Sequence, residues 1–78
     1  MEEIDYKTRI IKILYENNPL RLSQLEEKFL LSLDSNINKY DFPKFLLAIW
    51  ALEDEEILKR DEKSKKFYLT QKGKEETL

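Results

Sequence analysis

The chain has 78 residues, with 14 Lys and Arg against 16 Asp and Glu, and it contains neither cysteine nor histidine. That composition excludes disulfide staples, thiolate nucleophiles, zinc-finger ligand sets and imidazole acid–base chemistry, and a length that buries only roughly 60% of the unfolded surface allows one core and a single domain over residues 1–78. The opening MEEIDYKTRI is charged and no apolar run approaches the ~20 residues of a membrane span, so the sequence reads as an unsecreted, soluble, cytoplasmic protein.

The first predicted helix spans Glu3 to Asn17, where Lys7, Ile10, Ile11, Leu14 and Tyr15 recur at helical spacing, and Asn17, Asn18 and Pro19 stop it. Tyr6 and Ile13 lie on another face, so this helix has a second apolar side that calls for the closing helix or a second chain. Leu20-Arg21-Leu22 alternates as a short strand does. A second helix opens at Ser23 with the capping box Ser23-Gln24-Leu25-Glu26 and runs to Leu33, its apolar side formed by Leu22, Leu25, Phe29 and Leu33. The polar stretch Asp34 to Tyr40 follows as turn residues, interrupted by Ile37 and Tyr40.

A third helix takes Asp41 as N-cap and Pro43 in its first turn, and continues to Glu55. Phe42, Phe45, Ile49 and Leu52 define its core face, with Leu46 at the edge. About 100° around the axis, Pro43, Leu47 and Trp50 form a second apolar stripe. Glu53 to Glu56 then place four carboxylates at the helix C-terminus, against the macrodipole. Side chains at consecutive helical positions diverge around the axis, so these four make no metal site. Beyond them, extended runs at Ile57–Arg60 and Lys66–Leu69 flank a charged tip at Asp61–Lys65, which is a β-hairpin with its turn at Glu62-Lys63-Ser64-Lys65. Thr70 is a natural N-cap for a short closing helix, Gln71 to Thr77, that contains the chain's one glycine, Gly73.

Charge is distributed unevenly. Residues 1–56 hold seven Lys and Arg against twelve Asp and Glu, a balance of −5, whereas residues 57–74 hold seven against two, a balance of +5. A cationic hairpin attached to an acidic body is suited to touching phosphates.

Leu52, Glu53, Ile57 and Leu58 together resemble the LExxGLI pattern that closes the recognition helix in the winged helix-turn-helix DNA-binding family, and Tyr68, Leu69, Thr70 and Gly73 resemble the YxLTxxG that follows the wing. The resemblance implies an α+β, mostly helical fold, a three-helix bundle with a C-terminal β-hairpin wing and a short closing helix, in which Leu20–Leu22 supplies a small strand beside the wing. Glu56 stands where the family pattern has glycine, so a non-glycine residue is expected in a left-handed conformation or the turn must differ. The Asp34–Tyr40 link is longer than the about three or four residues of a tight helix-turn-helix.

Catalysis is not expected. Ser23, Ser32, Ser35 and Ser64 have no histidine to activate them, a single glycine forbids glycine-rich phosphate loops, and so small a fold leaves little room for a substrate pocket. No cofactor, metal or small-molecule substrate is implied. Two binding roles follow instead. In the first, a small transcriptional regulator, acting as a dimer, grips double-stranded DNA: Lys59, Arg60, Lys63, Lys65 and Lys66 hold phosphates, and Lys44 and Lys39 reach toward the groove. In the second, a protein-interaction winged helix uses Leu47 and Trp50, with Tyr6 and Ile13 on the first helix, to form a homodimer or join a complex. Leu47 and Trp50 occupy the outward places where the family has polar residues, and they cannot supply the donor–acceptor code that reads base edges. Either these two side chains meet a partner, or Ile37 and Tyr40 fold over them.

Overall fold

A computed structural model describes residues 4–77. Within them the chain forms α1 (Tyr6–Glu16), β1 (Leu20–Arg21), α2 (Leu22–Leu33), a 3-10 segment (Asp34–Lys39), α3 (Phe42–Asp54), β2 (Leu58–Arg60), β3 (Lys66–Leu69) and α4 (Gln71–Thr77). The fold is α+β and mostly helical, with one three-stranded antiparallel sheet ordered β1-β3-β2.

Helix α1 is the common wall of the molecule, packing against α2, α3, α4 and β3. Ile10 and Leu14, four residues apart and fully buried, are its contribution to the core. Glu3, the start expected from the sequence, lies outside the described residues. The helix begins instead at Tyr6, because Asp5 acts as N-cap, its Oδ1 accepting from the Thr8 N–H at 3.1 Å. Tyr15, expected in the core stripe, is exposed. At the other end, Asn17 closes the helix and the Asn18–Pro19 peptide is cis.

Helix α2 follows β1 without a linker, so its first turn starts at Leu22 and the capping box expected at Ser23 does not form. The Gln24 Oε1 accepts from the Arg21 N–H at 3.0 Å, while the Glu26 carboxylate accepts from the Tyr40 hydroxyl at 2.8 Å. Leu25, Phe29 and Leu33 are buried as their spacing predicts. Arg9 bridges α1 to the last turn of α2, donating to the Ser32 carbonyl at 3.0 Å and hydroxyl at 3.2 Å, which places a cation where the helix dipole is negative. The link after α2 is a 3-10 segment entered through Asp34 at φ 52°. Tyr40 at its end belongs to an aromatic cluster with Phe29 (ring centroids 5.7 Å apart) and Phe45 (5.9 Å).

Helix α3 buries Phe45, Ala48, Ile49 and Leu52. Phe42, expected in that row, precedes the core by a full turn. It stacks on Phe45 and leaves 41% of its surface in solvent. The helix ends in a Schellman motif: the Ile57 N–H donates to the Leu52 carbonyl at 2.9 Å and the Glu56 N–H to the Glu53 carbonyl at 3.0 Å. Glu56 takes the left-handed position at φ 63°, the first of the two outcomes expected where glycine is missing. Two cations offset the acidic end, Lys7 through an ion pair with Glu55 at 2.9 Å and Lys72 through a hydrogen bond to the Glu55 carbonyl at 3.1 Å.

Ile57 ends α3's cap instead of opening β2, and three elements meet on it. Its carbonyl accepts from the Thr70 N–H at 3.0 Å; the Thr70 hydroxyl donates mainly to the neighbouring Glu56 carbonyl at 2.6 Å, with the Ile57 carbonyl at 3.2 Å, and accepts from the Gly73 N–H at 3.1 Å, capping α4. Gly73 lies so close that a Cβ there would meet the Ile57 carbonyl oxygen at 2.5 Å. In the sheet, Leu20 pairs with Phe67, Leu58 with Leu69, Lys59 with Tyr68, Arg60 with Phe67 and Arg21 with Lys66. Leu20, Leu58, Phe67 and Leu69 are buried, so period-two alternation turns Lys59, Lys66, Tyr68 and Arg21 to the opposite, solvent face. Among the described residues, no buried side-chain nitrogen or oxygen lacks a hydrogen-bond partner.

Two substitutions separate backbone strain from packing. Glu56→Gly relieves the left-handed penalty and is expected to stabilise the protein by about 1 kcal/mol. Gly73→Ala gains helix propensity of about 1 kcal/mol, but it drives a methyl into backbone and is expected to destabilise by about 1–3 kcal/mol net. Urea denaturation checks both, and opposite signs to these would show that the Ile57 junction is looser than its distances.

Candidate functional site

The hairpin and the outward side of α3 carry most of the residues that the sequence singles out. The hairpin's tip is shaped by Asp61. Its Oδ1 accepts from the Lys63 N–H at 3.2 Å and its Oδ2 from the Ser64 hydroxyl at 2.9 Å, while its carbonyl accepts from the Lys65 N–H at 2.7 Å. Lys65 closes the turn in a left-handed conformation at φ 63°. Hydrogen bonds from Ser64 and from the Lys63 backbone hold the Asp61 carboxyl below its ordinary 3.8. The one acid at the root of the tip is therefore occupied in making the turn.

Lys59, Arg60, Lys63 and Lys65 are exposed and Lys66 is half-buried. None of them forms an ion pair, since the sole salt bridge among the described residues is Lys7–Glu55. They do not share one face. Arg60 is paired with Phe67 and its Cζ lies 6.0 Å from that ring's centroid, on the core side of the sheet, whereas Lys59 and Lys66 point to solvent. Lys63 and Lys65 are on the tip. Lys39 and Lys44, both exposed, are not brought to the hairpin: they sit on the 3-10 segment and in the first turn of α3, separated from the hairpin end of that helix by about 15 Å of helix rise.

Two residues that the sequence alone does not mark as binding candidates join the outer face. Arg21 is the cross-strand partner of Lys66, and Tyr68 is the partner of Lys59. The alternation of Leu20, Arg21 and Leu22 held the signal for Arg21, and that of Phe67, Tyr68 and Leu69 the signal for Tyr68. Which cations would stand beside them is fixed only by the three-strand register.

On α3, Trp50 and Leu47 are 57% and 59% exposed. Ile37 and Tyr40 do not fold over them: Ile37 is itself exposed, and Tyr40 turns inward to Phe29 and Phe45. With exposed Phe42 and Pro43, this is an apolar strip on a helix whose far end carries Asp54, Glu55 and Glu56. Tyr6 is placed differently. It stacks on Phe29 at 5.3 Å between ring centroids and its hydroxyl accepts from the Asp41 N–H at 2.9 Å, so the partner for that side of α1 is within the chain. Ile13 is half-buried against the core, beside exposed Leu31. Burial and the hydrogen bond to Glu26 push the Tyr40 hydroxyl far above its ordinary value of 10.0, keeping it a donor.

The described residues hold no group of three or more acidic side chains that could bind a metal ion, and no helix in them is long and apolar enough to cross a membrane. Compared with known proteins, the chain matches no family model, no curated protein and no solved structure.

Asp5 and Asp61 both titrate below 3.8, Asp5 because it accepts hydrogen bonds from Thr8. A lowered folded pKa contributes stability that is fully present above the unfolded value and lost as pH falls through the folded one. Urea midpoints are thus expected to decline as pH drops through and below 3.8. Asp61→Asn should flatten part of that decline, and an unchanged acid limb would disconnect the turn from Asp61's charge.

Proposed function

We propose that this chain is a winged-helix DNA-binding protein, a small transcriptional regulator, that holds the phosphate backbone with its β2–β3 hairpin as the wing. The observation that carries this reading is a concentration of cations at the hairpin with no carboxylate partner among the described residues: desolvating them costs no ion pair seen there, and each phosphate contact releases condensed counterions. The mechanism is electrostatic positioning. Lys63 and Lys65 at the tip, with Lys59 on β2 and Lys66 on β3, reach phosphates, while the Asp61 turn fixes where the tip points. Helix α3 contributes little base reading, because Leu47 and Trp50 offer only apolar contact and the carboxylates at its end repel phosphate. Binding of this kind tolerates sequence and depends steeply on salt.

Fluorescence anisotropy with a labelled DNA duplex tests it. Affinity should fall with added salt, and Lys63→Glu with Lys66→Glu should weaken binding at least tenfold while lowering the salt slope by about 0.9 for each phosphate contact removed. A salt-independent isotherm, or one unmoved by the double charge reversal in a folded protein, refutes the reading.

A second reading is favoured by the exposure of Trp50 and Leu47. A tryptophan with a leucine beside it on a helix face is the kind of anchor that dominates protein interfaces, and a second copy of the chain would cover both. Acrylamide quenching of Trp50 should be efficient at low protein concentration and fall as concentration rises, and Trp50→Ala should abolish association in sedimentation. Efficient quenching at every concentration, with a monomer throughout, excludes the dimer.

A further inference from the structure

We infer that the solvent face of the three-stranded sheet binds single-stranded nucleic acid, with an unpaired base stacked on Tyr68 and the adjoining phosphates held by Arg21, Lys59 and Lys66. This rests on the hairpin grip proposed above and names the form of nucleic acid it selects.

The sheet register makes the juxtaposition. Tyr68 and Lys66 are two residues apart on β3, so they share a face at about 6.8 Å spacing. Across the sheet, Lys59 of β2 stands directly opposite Tyr68, and Arg21 of β1 directly opposite Lys66. One aromatic ring is thereby bracketed by three cations, each drawn from a different strand. The ring has no role in the core: Tyr68 is half-buried, is not packed against the hydrophobic cluster, makes no ring–ring contact and gives its hydroxyl no hydrogen bond within the described residues. It lines an open depression together with Lys66, Pro19, Lys63 and Lys74, while Arg21 and Lys59 flank the ring on the neighbouring strands outside that depression. Asp61 and Glu62 also border that depression. Both are carboxylates that oppose an anionic ligand there, although the Asp61 oxygens are already engaged in hydrogen bonds within the turn.

The choice of single strand over duplex follows from what an aromatic platform offers. In a duplex the faces of the bases are stacked on one another, so Tyr68 gains nothing from it, and only the cations act. An unpaired base can lie on the ring, and stacking of that kind tolerates sequence because every base has a π-face. An α3 unable to read base edges is consistent with a ligand that needs no groove.

The experiment compares labelled oligo-dT, oligo-rU and a duplex of equal length by anisotropy, using the full chain at matched salt. The single strands should bind at least about tenfold tighter than the duplex, and the dT and rU arms show whether the sugar matters. Tyr68→Thr keeps strand propensity and should weaken single-strand binding by roughly 5- to 100-fold, the range for one stacked base, with a smaller effect on the duplex. Tyr68→Phe should restore most of the loss. Equal affinity for duplex and single strand with Tyr68→Thr silent overturns this inference and leaves the hairpin grip standing. Displacement of oligo-dT by polyglutamate at matched charge also overturns it, since the face is then a general anion surface. No binding of any nucleic acid at low salt removes both readings. If Tyr68→Thr fails to fold, the ratio of single-strand to duplex affinity in the native protein decides.

Discussion

The backbone of Ile57 is the point on which the architecture depends. Its N–H ends α3, its carbonyl receives the amide of Thr70 while the Thr70 hydroxyl is held mainly by the adjoining Glu56 carbonyl, and its side chain and carbonyl leave room only for a glycine on the facing helix. Helix, hairpin and closing helix are thus fixed by one residue with no side-chain chemistry of its own. The direction of the hairpin relative to α3 is set here rather than in the hairpin, which has three- and four-residue strands and would be marginal alone. Glu56 just before it holds a strained conformation that the surrounding hydrogen bonds over-determine.

Electrostatics sorts the surface into regions with different uses. The acidic end of α3 is partly neutralised from within, by Lys7 on the Glu55 carboxylate and Lys72 on its carbonyl, while the hairpin cations have no such partners among the described residues. Two lysines of similar sequence context therefore serve different ends: Lys72 stabilises a helix terminus and Lys66 faces solvent. Between the two charged regions the outward side of α3 is apolar, and the aromatic cluster of Tyr6, Phe29, Tyr40 and Phe45 seals the opposite side of the same helix. Phe45 and Trp50, five residues apart on one helix, thus have opposite fates because only the former faces α1 and α2.

Much of this was legible in the sequence wherever the signal was local. The stripes of α2 and of α3 beyond its first turn, the strand Lys66–Leu69 and the Thr70 cap follow from spacing and residue type, and the structure has them; the left-handed Glu56 is one of the two outcomes left open where a glycine was expected. What failed needed information from elsewhere in the chain. Ser23 looks like an N-cap until β1 is seen to run into α2, which moves the cap to Arg21 and releases Glu26 to bind Tyr40. Phe42 fits the core period but falls before the packed turns begin, and Asp34 gives no sign of its positive φ. The candidate site was legible as a cluster of charge, because its lysines are close in sequence. Its division into two faces, and the arrival of Arg21 and Tyr68, depended on pairing between strands far apart in the chain.

The junction of β1 and α2 has a mechanical consequence. Arg21 is the last residue of the strand and Leu22 the first of the helix, so no flexible joint separates the sheet from the bundle. A load applied to Arg21 is transmitted to the first turn of α2, and through it to Leu25 and Phe29 at the centre of the core. The edge strand cannot peel away by itself without unwinding the start of that helix, so the sheet's exposed margin inherits the rigidity of the interior.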